Sequence, residues 1–347
     1  LPGPHLENSL INLGLLTEAQ DAVQELGLNW QEFLAQEEEP GLGRGGLGRL
    51  MVCYLDSLAT LNLPAIGYGL RYEYGIFDQE IHDGWQVEVS DTWLRQGNPW
   101  EVERPELAVT VGFAGSSAAY MDDQGRYRLR WLPGDSVQGI PYDSPIPGYH
   151  TDTVSLMRLW RADANDLCKV LYPVDLDAEG KALRLKQQFF LVSCALQDVL
   201  RLHLTTGGIA ETLPNRFALQ INDTDPSLAV AELMRLLVDE HSLRWETAWT
   251  VTQQTFAYTN HSLMPETLDD LWSVGLFEQL LPRHLEIIYE INARLLDIIQ
   301  AKYPNDPTKL SRMSLIDERG ERYIRLNFLA CLGSHAVNGV SNCIRTC

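Results

Sequence analysis

Phe217-Ala-Leu-Gln-Ile221 runs straight into Asn222-Asp-Thr-Asp-Pro226, and an apolar helical pattern follows from Ala229 to His241. A compact apolar strand, a polar exit and a helix make one strand–helix step. The step recurs at Phe256-Ala-Tyr258, which leads into Thr259-Asn-His-Ser262. A further helix follows, with Pro282 in its first turn and Ile288, Ile291, Leu295, Ile298 and Ile299 along one side. Strands alternating with helices predict an α/β chain with a parallel, helix-covered sheet. Ligands of such sheets bind at the carboxyl ends of strands. The polar exits 222–226 and 259–262 are therefore the first places to look for a site.

Upstream, residues 7–28 read as helical, and Leu183 to Leu202 carry a broad apolar face. Ala65-Ile-Gly-Tyr-Gly-Leu70 reads as a strand. Leu107, Val109, Val111 and Phe113 alternate, as does Arg126-Tyr-Arg-Leu-Arg-Trp131 after the turn Asp122-Asp-Gln-Gly125. A β-rich excursion is thus expected at about 100–150.

The chain has 347 residues, with 27 Lys+Arg against 47 Asp+Glu and a formal net charge of −20. No dense basic cluster is present, which argues against a nucleic-acid partner. No apolar run approaches the roughly 20 residues that cross a bilayer, and the first residues show neither a basic nor an apolar signal region. A protein of the cytoplasm, away from membranes, is the expectation. Six cysteines, none in CxxC, fit a reducing compartment; Cys53 and Cys194 fall in apolar helical patterns and are expected to be buried. No His pair has H-E-x-x-H spacing, and no metal site is expected.

A glycine loop, Gly41-Leu-Gly-Arg-Gly-Gly-Leu-Gly48, precedes a helix whose face is marked by Leu47, Leu50, Met51, Leu55 and Leu58. Glycines admit close backbone approach, and a helix N-terminus offers free N–H groups and a positive dipole end. Gly45, Gly46 and Leu47 are therefore candidates to cradle a phosphate, with a plain tight turn as the alternative. The spacing fits G-x-G-x-x-G, but no strand precedes it, which makes a dinucleotide site a remote reading. His261, flanked by Asn260, stands at a strand exit; a satisfied structural histidine is the competing reading. Asp223 and Asp225 are turn formers by default. Tyr68, Tyr72, Tyr74, Phe77 and Trp85 suit either sugar stacking or a core.

Longer motifs narrow the choice. The segments Glu37 to Leu50, Tyr68-Gly-Leu-Arg-Tyr-Glu-Tyr-Gly-Ile-Phe77, Asp83-Gly-Trp-Gln-Val-Glu88 and Trp93-Leu-Arg-Gln-Gly-Asn-Pro-Trp100 stand in the order found in α-glucan (glycogen or starch) phosphorylases. So do Leu183-Arg-Leu-Lys-Gln187, Phe256-Ala-Tyr-Thr-Asn-His261, Leu281 to Asn292 and Gly333-Ser-His-Ala-Val-Asn-Gly-Val340. The resemblance runs from about Leu6 to Val340.

The resemblance implies an enzyme that cleaves α-1,4-glucans with inorganic phosphate and releases glucose 1-phosphate with retained configuration. Its fold would be a Rossmann-like parallel sheet with flanking helices and a β-rich insertion. That domain, residues 1–340, would be one lobe of a two-lobed (GT-B type) glycosyltransferase, with residues 341–347 a tail unlike the family. Pyridoxal phosphate would sit between the lobes. Gly45, Gly46 and Leu47 resemble the loop whose amides face the phosphates. His261 resembles the histidine lining the glucosyl site, with Asp223 and Asn260 in support. Asp175 resembles the acidic residue of a gate loop.

Departures from the family accompany these matches. The cofactor lysine belongs to the family's second domain, so the 347 residues alone are expected to be inactive. A stretch between Trp160 and Val170 is shorter than in the family and takes with it most of the helix of the family homodimer. Val174 and Leu176 replace the gate-loop amides, Asp225 replaces a histidine, Arg44 an asparagine, and Leu202 the second of two effector-binding arginines. An N-terminal regulatory arm is not evident. A non-catalytic glucan-binding or regulatory remnant is the alternative function, and a truncated product without a role is a third.

Overall fold

The computed structural model describes residues 5–37, 40–43, 45–163, 166–171, 178–261 and 271–340. They fall into two compact units, one built of residues up to Val109 with 138–183, the other of 110–137 with the residues from Arg184 onward.

The first unit opens with the helices His5–Leu13 and Leu16–Glu25, which split the expected helix 7–28. Gly14, at φ +68°, makes the break. The helix Gly45–Thr60 lays Leu55 against the strand Ile66–Leu70, where the missing side chain of Gly67 admits it: a Cβ there would stand 2.7 Å from Leu55 Cδ1. Ile66–Leu70 runs parallel to Val154–Ala162, with Leu70 opposite the fully buried Trp160. The next strand, Asp135–Pro147, lies antiparallel to Val154–Ala162, and Val102–Glu103 is antiparallel to it in turn. The sheet is therefore mixed where a parallel one was expected. The reason is the short connection at Gly148–Thr153, closed by a Gly148 N–H to Thr153 carbonyl bond of 3.1 Å, which can only join antiparallel neighbours. Across that pair Arg158 grips the directly opposite Asp143 with two 2.7 Å bonds, both side chains buried.

In the second unit three strands, Leu219–Asn222, Phe256–Asn260 and Ala336–Gly339, form the expected parallel sheet in that order. The helices Ala229–Arg235 and Trp245–Thr255 make the crossover between the first two. Ile221, Phe256 and Tyr258 are buried beneath it. The 28-residue helix Ala178–Thr205, most of which belongs here, buries Leu185, Phe189, Phe190 and Cys194. The hairpin Ser116–Met121 and Tyr127–Leu132 fulfils the turn signal at 122–125. It brings Trp131 edge-on to His284, with ring centroids 5.1 Å apart.

A charged cluster fixes the helix Pro282–Lys302 within this unit. The fully buried Glu232 accepts from Ser193 (2.8 Å), from two Arg235 nitrogens (2.6 and 2.9 Å) and from His284 Nε2 (2.6 Å). Burial alone would push the carboxyl up, but the Arg235 charge and these bonds outweigh it and hold Glu232 at about 2. His284 is pushed down, chiefly by its own burial, and stays neutral. After Arg235 the helix widens to an i→i+5 turn over Leu236–Glu240. There Glu240 meets Arg235 at 2.7 Å and Asp239 meets Arg283 at 2.8 Å.

Cys194 and Cys168 are buried, as their surroundings require. Cys53 is exposed, contrary to expectation. It lies on the same helix as Leu47, Met51 and Leu55, but its spacing from them turns it to the opposite side. Among the described residues no helix is long and apolar enough to cross a membrane. Nor do they contain a group of three or more His, Cys, Asp or Glu able to hold a metal ion.

Candidate functional site

Each unit contributes one arrangement that can meet a ligand. In the first, the glycine loop leads into the helix Gly45–Thr60 as its spacing predicts. Gly43 takes φ +90°, a conformation that side chains resist. The turn folds so tightly that a Cβ on Gly48 would stand 3.1 Å from Gly43 Cα. The loop is anchored from outside. The buried Asp91 accepts from the Gly41 N–H at 3.2 Å, and the Gly41 carbonyl accepts from Ile76 at 3.0 Å. Gly75, whose N–H reaches the Asp91 carbonyl at 3.0 Å, leaves room for the Asp91 carboxylate, which a Cβ there would overlap.

Beyond this anchored loop, Gly45, Gly46 and Leu47 form the helix's first turn. Amides there have no intrahelical acceptor and carry the positive end of the helix dipole. Gly46 is exposed, and a Cβ on it would meet no atom of the described residues within 4 Å. Among the described residues nothing crowds the Gly46 side of this turn, which suits the approach of an anion.

In the second unit the carboxyl ends of the parallel strands carry His261, Asn260, Asn222 and Asp223. Alternation along the strands places Gln220, Asn222, Thr259, His261 and Asn338 on one face of the sheet, opposite the buried Ile221 and Tyr258. Gln220 Nε2 donates to Thr259 Oγ1 at 2.7 Å, and Thr259 Oγ1 donates to Asn338 Oδ1 at 2.8 Å. His261 Nε2 donates to Asn222 Oδ1 at 2.5 Å, which fixes the ring's tautomer and plane.

Asp223 turns the chain out of its strand. It is buried, holds φ +67°, and donates its N–H to the Thr259 carbonyl at 2.8 Å. Such a non-glycine conformation persists only when its surroundings impose it. The Asn260 carbonyl accepts from Val340 at 3.3 Å, which binds the third strand to the same end of the sheet. Asp225 takes a structural part: it accepts from Gln188 Nε2 at 2.9 Å and lies 3.6 Å from Arg184.

The structure thus brings His261, Asn260 and Asp223 to one sheet end and sets Gly45, Gly46 and Leu47 in one helical turn. Asp175 lies outside the described residues. Sequence reasoning missed Asn222, Gln220, Thr259 and Asn338 as a hydrogen-bonded surface. The signal available was their two-residue spacing on strands whose intervening residues are apolar. Of the aromatic run, Tyr72 is buried, whereas Trp85 is 78% exposed on the hairpin Asp78–His82 and Trp85–Val89. Chemically, the helix turn suits an anion, and the uncharged donors and acceptors around His261 suit a neutral hydroxylated ligand.

The family model for carbohydrate phosphorylase matches residues 23–168 and 161–346. The glycogen phosphorylase of Synechocystis sp. is 55% identical over 365 aligned residues, spanning 98% of this chain and 43% of that protein. The human liver form is 48% identical and the bovine brain form 46% identical over 371 residues, with the same coverage. The chain thus spans less than half the length of the relatives it matches. It belongs to the carbohydrate phosphorylase family.

Proposed function

We propose that this chain is the N-terminal part of an α-1,4-glucan phosphorylase that splits glycogen or maltodextrin with inorganic phosphate to give glucose 1-phosphate. The observation that carries this is the fixed His261–Asn222 arrangement at the strand ends of the second unit, within a sequence 55% identical to a glycogen phosphorylase; the glycine-led helix turn of the first unit supports it separately. In phosphorolysis the bond from the terminal glucosyl carbon to its neighbour's oxygen breaks, and a phosphate oxygen takes the vacated position. Gly45, Gly46 and Leu47 would hold a phosphate through backbone N–H groups, which lose no conformational freedom when the anion binds. His261, oriented by Asn222, would line the glucosyl site with Asn260 and stabilise the positive, oxocarbenium-like sugar by fixed dipoles. Asp175 would act at the gate.

The uncluttered glycine turn fits a phosphate group, so the family cofactor, pyridoxal phosphate, suits these residues. When bound it would supply a phosphate that exchanges a proton with the substrate phosphate. A two-lobed architecture, a cytoplasmic setting and homodimerisation belong to the same proposal. The 347 residues taken alone would not turn over, because the resemblance assigns the cofactor lysine to a second lobe. Loss of both gate-loop amides, at Val174 and Leu176, favours a second reading in which the chain binds glucan without cleaving it.

The test joins residues 1–340 to the rest of the Synechocystis enzyme. Phosphorolysis of glycogen by this fusion, dependent on phosphate, is the expected result. A soluble, cofactor-loaded fusion that binds glycogen but forms no glucose 1-phosphate would support the second reading instead.

A further inference from the structure

A cavity of about 630 Å³ opens in the second unit between the helices Pro282–Lys302, Pro307–Met313 and Leu326–Leu332. Its apolar wall is made by Leu295, Met313, Leu315, Phe328 and Leu332. Leu315 is fully buried at its base, while Met313 and Phe328 keep 43% and 36% of their surface exposed. An apolar hollow of this size, with few polar groups at its edge, has the character of a small-molecule site. It includes neither His261 nor the glycine turn.

Its edge is charged in one sense. Lys309 and Arg312 both line the cavity, one helical turn apart on Pro307–Met313. Among the described residues neither has a carboxylate partner, although most arginines of this acidic chain do. The Lys309 ammonium rests 3.6 Å from the centre of the Tyr303 ring. The one acidic residue of the lining, Asp306, caps the helix by accepting from the Lys309 N–H at 2.9 Å. Neighbouring Arg325, over the Phe328 ring, is neutralised by Asp317 at 2.8 Å. Two cations against one carboxylate leave the mouth net positive in a chain of net charge −20.

We infer that this cavity binds a medium-length aliphatic carboxylate, its chain lying on the apolar wall and its carboxylate between Lys309 and Arg312. The two halves of the ligand answer the two halves of the site. The wall supplies affinity through burial, and the cations select the sign of the headgroup. Such a ligand is unrelated to glucan or phosphate, so its binding stands or falls apart from the phosphorolysis reading.

Cys331 lines the cavity, and Cys53, exposed on a helix of the other unit, supplies an internal reference. The experiment alkylates the 347-residue chain with iodoacetamide and reads both thiols by peptide mass spectrometry. Decanoate is expected to slow modification of Cys331 by about fivefold or more and to leave Cys53 unchanged. Decanol should protect about three- to tenfold less well at equal concentration, and decyltrimethylammonium should not protect. The double substitution Lys309→Gln with Arg312→Gln should reduce protection by decanoate to the level of decanol. An unchanged Cys331 rate with decanoate would overturn the inference. So would equal protection by the cationic amphiphile, or full protection in the double variant. A Cys331 rate that falls with protein concentration in the absence of any ligand would assign the cavity to a second copy of the chain instead.

Discussion

His261 donates through Nε2 to the Asn222 side chain at 2.5 Å, and this bond joins the carboxyl ends of two adjacent parallel strands. Asn222 therefore acts as a positioning residue: it holds the ring that the proposed mechanism uses. In the fusion with the Synechocystis remainder, Asn222→Ala should lower kcat by about tenfold or more through loss of orientation, with little change in KM for phosphate. Asn222→Gln, which keeps an amide but moves it by one methylene, should recover part of that loss. Equal kcat in all three proteins would remove Asn222 from the account.

Gly46 separates a functional effect from a structural one. A methyl group there meets no atom of the described residues, and alanine is the better helix former by up to about 1 kcal/mol. Gly46→Ala should leave the melting temperature of the chain equal or higher. In the fusion it should raise KM for phosphate, because the methyl occupies the path to the helix amides. A lowered melting temperature, or an unchanged KM, would contradict this.

Gly75 behaves oppositely. Its Cβ position is filled by the Asp91 carboxylate that anchors Gly41. Gly75→Ala should destabilise the chain by about 1–3 kcal/mol, read by denaturant unfolding. Because the displaced group is the loop's anchor, protection of the Gly41 amide from hydrogen exchange should fall as well.

These residues mark what the sequence could reveal and what it could not. The helix after the glycine loop, the strands Phe256–Asn260 and Leu219–Asn222, and the position of His261 at a strand exit were all legible, because periodicity and punctuation are local. Asp91 was not, because it closes on Gly41 from fifty residues away. Nor was the bond from Asn222 to His261, thirty-nine residues apart, since a strand exit reads as a turn whatever its side chains later meet. The mixed sheet of the first unit escaped for a similar reason. A β-rich excursion at about 100–150 was legible, but its strands beyond 135 and their direction were not, since direction depends on how short the connection at Gly148 is. Cys53 escapes because an apolar neighbourhood in sequence does not say which side of the helix a residue occupies.

The cluster around Glu232 predicts how acid acts on the second unit. Native His284 is held neutral by burial, so its proton affinity is below that of the unfolded chain. As pH falls through the ordinary histidine value of 6.5, the unfolded state gains a proton that the native state does not, and stability falls. Glu232 adds a second loss at lower pH, since its stabilisation is complete above its ordinary 4.5 and disappears as pH falls towards about 2. The melting temperature should therefore decline from about pH 7.5 to about pH 5.5. His284→Gln retains a donor for Glu232 and should flatten that slope. Glu232→Gln leaves the buried Arg235 with only the half-exposed Glu240 as counter-charge and should cost about 3–5 kcal/mol. A slope unaltered by His284→Gln would show that another group governs the acid limb.

The most direct test of the central claim is the rate at which the fusion of residues 1–340 with the Synechocystis remainder releases glucose 1-phosphate from glycogen, compared with the same fusion carrying His261→Ala. The account predicts phosphate-dependent release that falls by about a hundredfold or more in the variant, with cofactor content and melting temperature preserved. Equal rates from the two proteins, both folded and cofactor-loaded, would contradict it.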